Sequence, residues 1–336
     1  MIIYFFIAFF LSLIFTWLVK NIALRLHVVD NPDGQRHLHA KPTPLLGGIA
    51  IFLSFWAVIL FTLIFHPIKG IERIADPLIL AFISSAVLMC IGIADDVRPF
   101  SAKVRLPLVA VVIGICAVYL PWLSKITNPW GGYIELGRIV GSILVFSWLL
   151  GMTYTTKILD GLDGLATGVV SIGAFVIVLL SSITKFYQPN VALVAFVFLA
   201  ACLGFLIFNF HPAKIFLGES GSMFIGFMLG VLAIIGGGKL ATALLVMAIP
   251  ILDLIRVVYK RFRRGQPIFT GDREHLHFRL VDSGFSQKQA VLFLYGLAFF
   301  FGITTLFLQS MQKFYALMVL IVVMAVLGHL IGRKKI

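Results

Sequence analysis

Long apolar stretches broken by short polar ones run from one end of the chain to the other. Eleven apolar runs fall near residues 2–20, 46–65, 77–93, 105–122, 138–156, 166–184, 190–208, 221–236, 240–258, 290–308 and 314–331. Most reach the length that a helix needs to cross about 30 Å of hydrocarbon. The pattern therefore predicts an all-α, polytopic membrane protein with about eleven transmembrane helices, ten being the alternative count. Some runs are near the lower length limit, and the one at 221–236 is the weakest of the set. No soluble domain, heptad run or inverted repeat interrupts the pattern, and the first run passes into polar chain without a small-residue cleavage site. Residues 1–336 are expected to form one transmembrane domain, with polar loops near 21–45, 94–104, 157–165, 209–220 and 259–289. Asn128-Pro129-Trp130-Gly131-Gly132-Tyr133 reads as an interfacial turn or hairpin with aromatic anchors.

Composition agrees: 60% of residues are hydrophobic, the mean hydropathy is +1.06 and only 12% are charged. The net charge of +13 is too dispersed for a nucleic-acid groove and suits anionic lipid or phosphate. Cys90, Cys116 and Cys202 lie inside apolar runs and read as small core residues. With eleven spans the loops alternate sides, and 20 of the 27 Lys and Arg collect on one side. The positive-inside rule makes that side cytoplasmic, with the N-terminus outside, the C-terminus inside and the protein in the inner (plasma) membrane.

Sidedness fixed by Lys and Arg says little about acids, yet the acids and histidines follow it. Asp30 and Asp33, Asp95 and Asp96, Asp160 and Asp163, Glu219, and His275 with His277 all fall on the cytoplasmic side, in five different loops or helix ends. Ionised groups at a membrane boundary are costly, so their convergence predicts one polar site there. Asp160 and Asp163 lie three apart on one helical face, where two anions need a cation, a shared proton or a basic neighbour. Asp95 and Asp96 point about 100° apart on a helix and do not grip one ion side by side. Glu219, beside Gly and Ser at a helix start, suits a hard cation such as Mg²⁺, and the backbone N–H groups there suit a phosphate. A turn at Asp160–Gly164, a charged helix end at Asp95-Asp96 and a simple cap at Glu219 are the bland readings of the same residues. His275 and His277 diverge if helical, which argues against zinc; with Arg273 and Arg279 they suit phosphate or base hydrogen bonding. Asp253 reads either as a partner for Arg256 or as a site residue.

These segments, in this order, resemble the polyprenyl-phosphate N-acetylhexosamine-1-phosphate transferases of glycosyltransferase family 4. The resemblance rests on DNPDGQRHLHAKPTPLLGG from Asp30 to Gly48, Asp95-Asp96, Asp160–Gly164, the 209–222 segment, and Pro250 to Ser286 with DREHLHFRL. The basic and histidine segments are nearer the undecaprenyl-phosphate GlcNAc-1-phosphate branch than the phospho-MurNAc-pentapeptide branch. The resemblance implies transfer of a sugar-1-phosphate from a UDP-sugar to a polyprenyl phosphate at the cytoplasmic face, with Mg²⁺ (Mn²⁺ as the alternative) and release of UMP. It leaves a homodimer open. It places Asp95 and Asp96 at the lipid phosphate, Asp160 and Asp163 near nucleotide and metal, Glu219 at a magnesium-ligand position usually held by Asp, and Asn209 near the nucleotide. It also places His275 and His277 near the sugar and diphosphate, and Lys41 as a basic residue of the first loop. Three departures stand out: Tyr154 and Lys157 replace Asn, Glu219 replaces Asp, and Phe278 replaces His. Lys157 is therefore a further substrate-binding candidate, able to neutralise the carboxylates or contact a phosphate. A transporter, the rival reading, would carry its ionisable residues near the midplane on repeated, broken helices.

Overall fold

A computed structural model describes residues 1–31, 42–65, 70, 72–120, 125–128, 132–183, 187–236, 239–267, 273–308 and 310–332. Its elements in chain order begin with α1 (Ile2–Arg25), β1 (Val29–Asp30), β2 (Thr43–Pro44), α2 (Gly47–Phe65), α3 (Glu72–Val97) and α4 (Ala102–Tyr119). Next come β3 (Lys125–Thr127), β4 (Tyr133–Glu135), α5 (Arg138–Leu159), α6 (Leu165–Ser182), α7 (Pro189–Asn209) and α8 (Gly218–Ile235). The chain continues through α9 (Leu240–Arg263), α10 (Leu276–Asp282), α11 (Gln287–Thr304) and α12 (Ser310–Gly332). Among the described residues nine helices, α1 to α9, are long and apolar enough to cross a membrane. The last two predicted runs are occupied by α11 and α12, which fall outside that set. The opening Gln287-Lys288-Gln289 dilutes α11, and the shorter apolar stretch of α12 is Met311–Met324. The predicted loop at 259–289 is shorter than expected, because α9 carries its basic end to Arg263 as helix.

The weakest predicted span turns out to be the axis of the bundle. Helix α8 packs on α2, α3, α5, α6, α7 and α9, and 94% of its apolar window is buried, against 22% for α1. A helix surrounded by protein is selected for close packing, so small residues replace some of the bulky apolar ones that lipid-facing helices carry. A Cβ at Gly92 would run into the backbone of Ser220, and one at Gly48 into Gly221, so α3 and α2 lie against α8 almost backbone to backbone. Thr156 Oγ1 of α5 donates to Ser222 O of α8 at 2.9 Å. Around this axis Phe52, Phe55, Trp56, Phe82, Phe198 and Phe224 form a ring of edge-on and stacked contacts, several of them fully buried.

Two short ladders complete the fold. The predicted hairpin is present: β3 pairs antiparallel with β4, Lys125 opposite Glu135. The sequence pattern does not reveal the pairing of β1 with β2, two residues each. That ladder leads to a docking contact important for the site. Phe216 N donates to Pro44 O at 2.8 Å, and Gly47 N and Gly48 N donate to Phe216 O and Leu217 O at 3.0 and 2.9 Å. The first-turn N–H groups of α2 are thereby satisfied by the α7–α8 connection, and the start of α8 is tied to the end of the first loop.

Candidate active site

The end of α3, the start of α4, the end of α5 with its following turn, the end of α7 and the start of α8 meet around a cavity of about 450 Å³. Asp95, Asp96, Lys157, Asp160, Asp163, Asn209 and Glu219, all singled out from the sequence, line it together. Phe278 reaches it from α10, whereas His275, His277, Arg273 and Arg279 are not part of the lining. Lys41, Asp33 and Asp272 lie outside the described residues.

The paired aspartates diverge as their helical spacing requires. Asp95 is buried, accepts Phe100 N at 2.6 Å and is ion-paired with Nη1 of Arg105. Asp96 turns the other way and accepts Glu219 N at 2.7 Å, Ser220 N at 3.2 Å and Ser220 Oγ at 2.7 Å. It is the N-terminal cap of α8, supplied from another helix. The free N–H groups that the sequence offers to a phosphate are thus already held by a carboxylate of the protein, the same dipole satisfied internally. Gly218, at φ +78°, makes room for this: a Cβ there would sit 2.7 Å from Asp96 Oδ2.

The next turn carries the second pair. Asp160 ends α5, and Gly164, at φ +77°, begins α6 in the left-handed region that glycine takes without penalty. Tyr295 OH of α11 donates to Gly164 O at 2.5 Å. Asp163 Oδ2 accepts Ala213 N at 3.1 Å and lies 2.7 Å from His211 Nδ1, which fixes the imidazole proton on that nitrogen. The Asp160 backbone N–H donates to Thr156 O at 3.1 Å, but its carboxylate has no hydrogen bond or ion pair among the described residues. Burial first, then the nearby Glu219, Asp96 and Asp163, push its carboxyl well above the usual range. A carboxylate in that setting calls for a proton or a cation.

Glu219 pairs with both basic groups that line the cavity among the described residues. Its Oε2 is 2.6 Å from Lys157 Nζ, and its Oε1 is 3.3 Å from Arg105 Nη1. Lys157 therefore meets Glu219, rather than bridging the two aspartates of its own turn. Asn209 is buried and structural: its Oδ1 accepts Thr167 Oγ1 and its Nδ2 donates to Ile215 O, both at 3.1 Å.

The histidines form a wall behind the Asp160 turn. His275 is not helical; it is the extended N-cap of α10, so the two imidazoles do not diverge as a helix would make them. They stack at 5.8 Å with planes 4° apart. Asp253 of α9 organises this segment, accepting Leu276 N at 2.9 Å and Arg256 Nη2 at 2.7 Å, with His275 Nδ1 at 2.9 Å. Its role is thus to anchor both Arg256 and the histidine segment. His277 is buried, and burial with the neighbouring His275 pushes it down to about 3, so it is neutral at physiological pH. Its Nε2 has no hydrogen-bond partner among the described residues and packs directly on Gly161. Arg273 pairs with Asp282 at 2.6 Å and stands 5.4 Å over the Phe278 ring. Burial lowers the Arg279 guanidinium, with Arg256 adding to the effect.

The sequence reading did not select Arg105, His211 and Ser220 as site residues. Arg105 ten residues past Asp95, and His211 within the 209–222 segment, carried the only hint: a basic group near unpaired acids.

A polytopic helical bundle holding a pocket of carboxylates, balanced in part by lysine and arginine, is the arrangement of a membrane enzyme. Residues 78–237 match the family described as glycosyl transferase family 4. A Bacillus subtilis protein named "probable undecaprenyl-phosphate N-acetylglucosaminyl 1-phosphate transferase" is 32% identical over 335 residues, covering 95% of this chain and 89% of its own. A Mycobacterium tuberculosis "decaprenyl-phosphate N-acetylglucosaminephosphotransferase" is 33% identical over 82% of this chain and 74% of its own. A Yersinia pestis "undecaprenyl-phosphate alpha-N-acetylglucosaminyl 1-phosphate transferase" is 28% identical over 85% and 78%. The chain belongs to glycosyl transferase family 4 and is an enzyme, a phosphoglycosyl transferase of the membrane.

Proposed function

We propose that the protein transfers N-acetylglucosamine-1-phosphate from UDP-N-acetylglucosamine to a polyprenyl phosphate, undecaprenyl phosphate in the first instance, releasing UMP at the cytoplasmic face of the plasma membrane. The relatives' names supply the sugar and the lipid. The charge balance of the cavity is the observation that carries the chemistry. Among the described residues, Asp30, Asp95, Asp96, Asp160, Asp163 and Glu219 line it against Arg105 and Lys157, an excess of four negative charges when all are ionised. A diphosphate and a lipid phosphate cannot enter that field without added positive charge.

Among the described residues no three carboxylates or histidines are grouped so as to hold a metal by themselves, so a hard divalent ion, Mg²⁺ or Mn²⁺, would be held here by one or two carboxylates together with substrate phosphates. Asp160 is an uncommitted carboxylate facing three others. When bound, the ion supplies charge neutralisation for the diphosphate. The protein's own groups do the positioning. A lipid phosphate oxygen forms a bond to the β-phosphorus, the bond from that phosphorus to the oxygen bridging to the α-phosphorus breaks, and UMP leaves with the electron pair. A phosphate monoester has its second pKa near 6, so the attacking oxygen is largely unprotonated without a dedicated base. Asp95 and Asp96 then act by fixing Arg105 and the α8 terminus, while Arg105 and Lys157 face the developing charge. Neutral His277 and its partner His275 buttress the turn that holds Asp160.

Purified protein in detergent, given Mg²⁺, undecaprenyl phosphate and in turn UDP-GlcNAc, UDP-GalNAc and UDP-MurNAc-pentapeptide, tests this reading. UMP and a lipid diphosphate-GlcNAc are expected from the first donor. No UMP from any of the three would reject the reading, and preference for another donor would replace the sugar.

A further inference from the structure

Lys157 lies one helical turn before Asp160 on α5, at a cavity wall that otherwise carries carboxylates. Its ammonium covers one oxygen of Glu219 at 2.6 Å, and Arg105 lies 3.3 Å from the other. Glutamate is one methylene longer than aspartate, and that reach lets the carboxylate contact both cations. Asp163 has committed Oδ2 to His211 and Ala213 N, Asp95 is paired with Arg105, and Asp96 caps α8. Asp160 alone of these five carboxylates has neither a hydrogen bond nor an ion pair among the described residues. A divalent ion sharing the Glu219 oxygen with an ammonium would place three positive charges within a few ångströms of one another. The same ion on Asp160 meets only anions.

We infer that Lys157 is a counter-ion built into the reaction centre, holding Glu219 in a protein ion pair so that the divalent ion is anchored on Asp160 while the ammonium faces the transferred diphosphate. This rests on the proposed reading of the cavity as a site for a divalent ion and a diphosphate. It divides the positive charge between a bound ion on one wall and a lysine on the other. It also reassigns the ligand position that the family resemblance gives to Glu219.

Binding of Mn²⁺ to the purified, detergent-solubilised chain, followed by the electron paramagnetic resonance signal of free Mn²⁺ and requiring no turnover, tests the assignment. Removing lysine and glutamate together leaves the net charge of the wall unchanged. The K157M/E219Q protein should therefore bind Mn²⁺ within about threefold of the unaltered protein. K157M alone frees Glu219 and should tighten binding roughly tenfold, whereas loss of a true metal ligand costs at least roughly tenfold. A loss greater than about threefold in the double variant, or no tightening in K157M, overturns the inference. D160N separates this from the underlying reading: it should abolish Mn²⁺ binding, and unchanged binding there rejects the metal site itself. Should the methionine-containing pair fail to elute as a single folded species, K157Q/E219Q keeps polar side chains at both positions and carries the same comparison.

Discussion

Replacing Gly161 by alanine probes the contact that joins the Asp160 turn to the histidine segment. Its φ lies outside the left-handed region, so alanine meets no backbone penalty there, and only space is at issue. The added Cβ would lie inside the van der Waals surface of His277 Nε2 and 2.8 Å from Phe278 Cζ, where ordinary contact needs 3.4–4 Å. Either α10 or the Asp160–Asp163 turn must retreat, by on the order of 1 Å in a region packed like a crystal. Overpacking of this kind costs about 1–3 kcal/mol of stability. The larger effect falls on catalysis, because a misplacement near 1 Å costs roughly hundredfold in rate. Gly151, on α5 with nothing within 4 Å of its Cβ position, supplies the control. Alanine there should leave the rate unchanged and raise stability by about 0.4–1 kcal/mol. UMP release and the melting temperature in detergent, measured for both variants, decide the matter. G161A protein with unaltered turnover and melting temperature would refute the close packing of α10 on the turn.

Other expectations follow from the same geometry. Asp96→Ala should lower the melting temperature along with activity, since three hydrogen bonds at the α8 start are lost at about 1.5–3 kcal/mol for those to a charged group; thermal unfolding alone reads this, and an unchanged melting temperature would deny the cap. Arg105→Lys keeps the charge but loses the planar guanidinium whose Nη1 meets both Asp95 and Glu219, and should reduce turnover by more than tenfold, about 1.4 kcal/mol or more, with the protein still folded. For His277 the folded-state value of about 3 lies below the ordinary 6.5, so below pH 6.5 the unfolded chain binds a proton that the native chain does not. Stability should fall as pH drops from 6.5 toward 3, and H277N protein, read by melting temperature across that range, should show a shallower decline.

The all-α membrane architecture was legible because apolar length is a nearly sufficient signal for a helix in lipid. What the pattern could not tell is which helices face lipid and which face protein. That is why α8 looked like the weakest span: Ser220 and Gly221, which let Gly92 and Gly48 lie against it, lower its hydropathy while serving as its packing surface. Four of the five segments expected from charge sidedness bring their acids to one pocket, a long-range property that one-dimensional counting captures, whereas the histidine segment reaches it only through Phe278. The division of labour within the pocket was not, since it depends on which partner each carboxylate meets across helices. Asp96 capping α8, Asp253 anchoring His275 and Lys157 reaching Glu219 bridge 123, 22 and 62 residues of chain. The stacking of His275 on His277 was missed because one backbone angle at the α10 cap, ψ 148°, replaces a helical one.

The central claim is that the carboxylate pocket beside Asp160 is where phosphoryl transfer takes place. Its most direct test is UMP release in a single turnover, with enzyme in excess over UDP-GlcNAc and undecaprenyl phosphate and Mg²⁺ present, comparing the unaltered protein with D160N at matched melting temperature. The unaltered protein should give a burst of UMP, matched by lipid diphosphate-GlcNAc, that the D160N protein lacks; UMP formed at the same rate by both would contradict a reaction centre at Asp160.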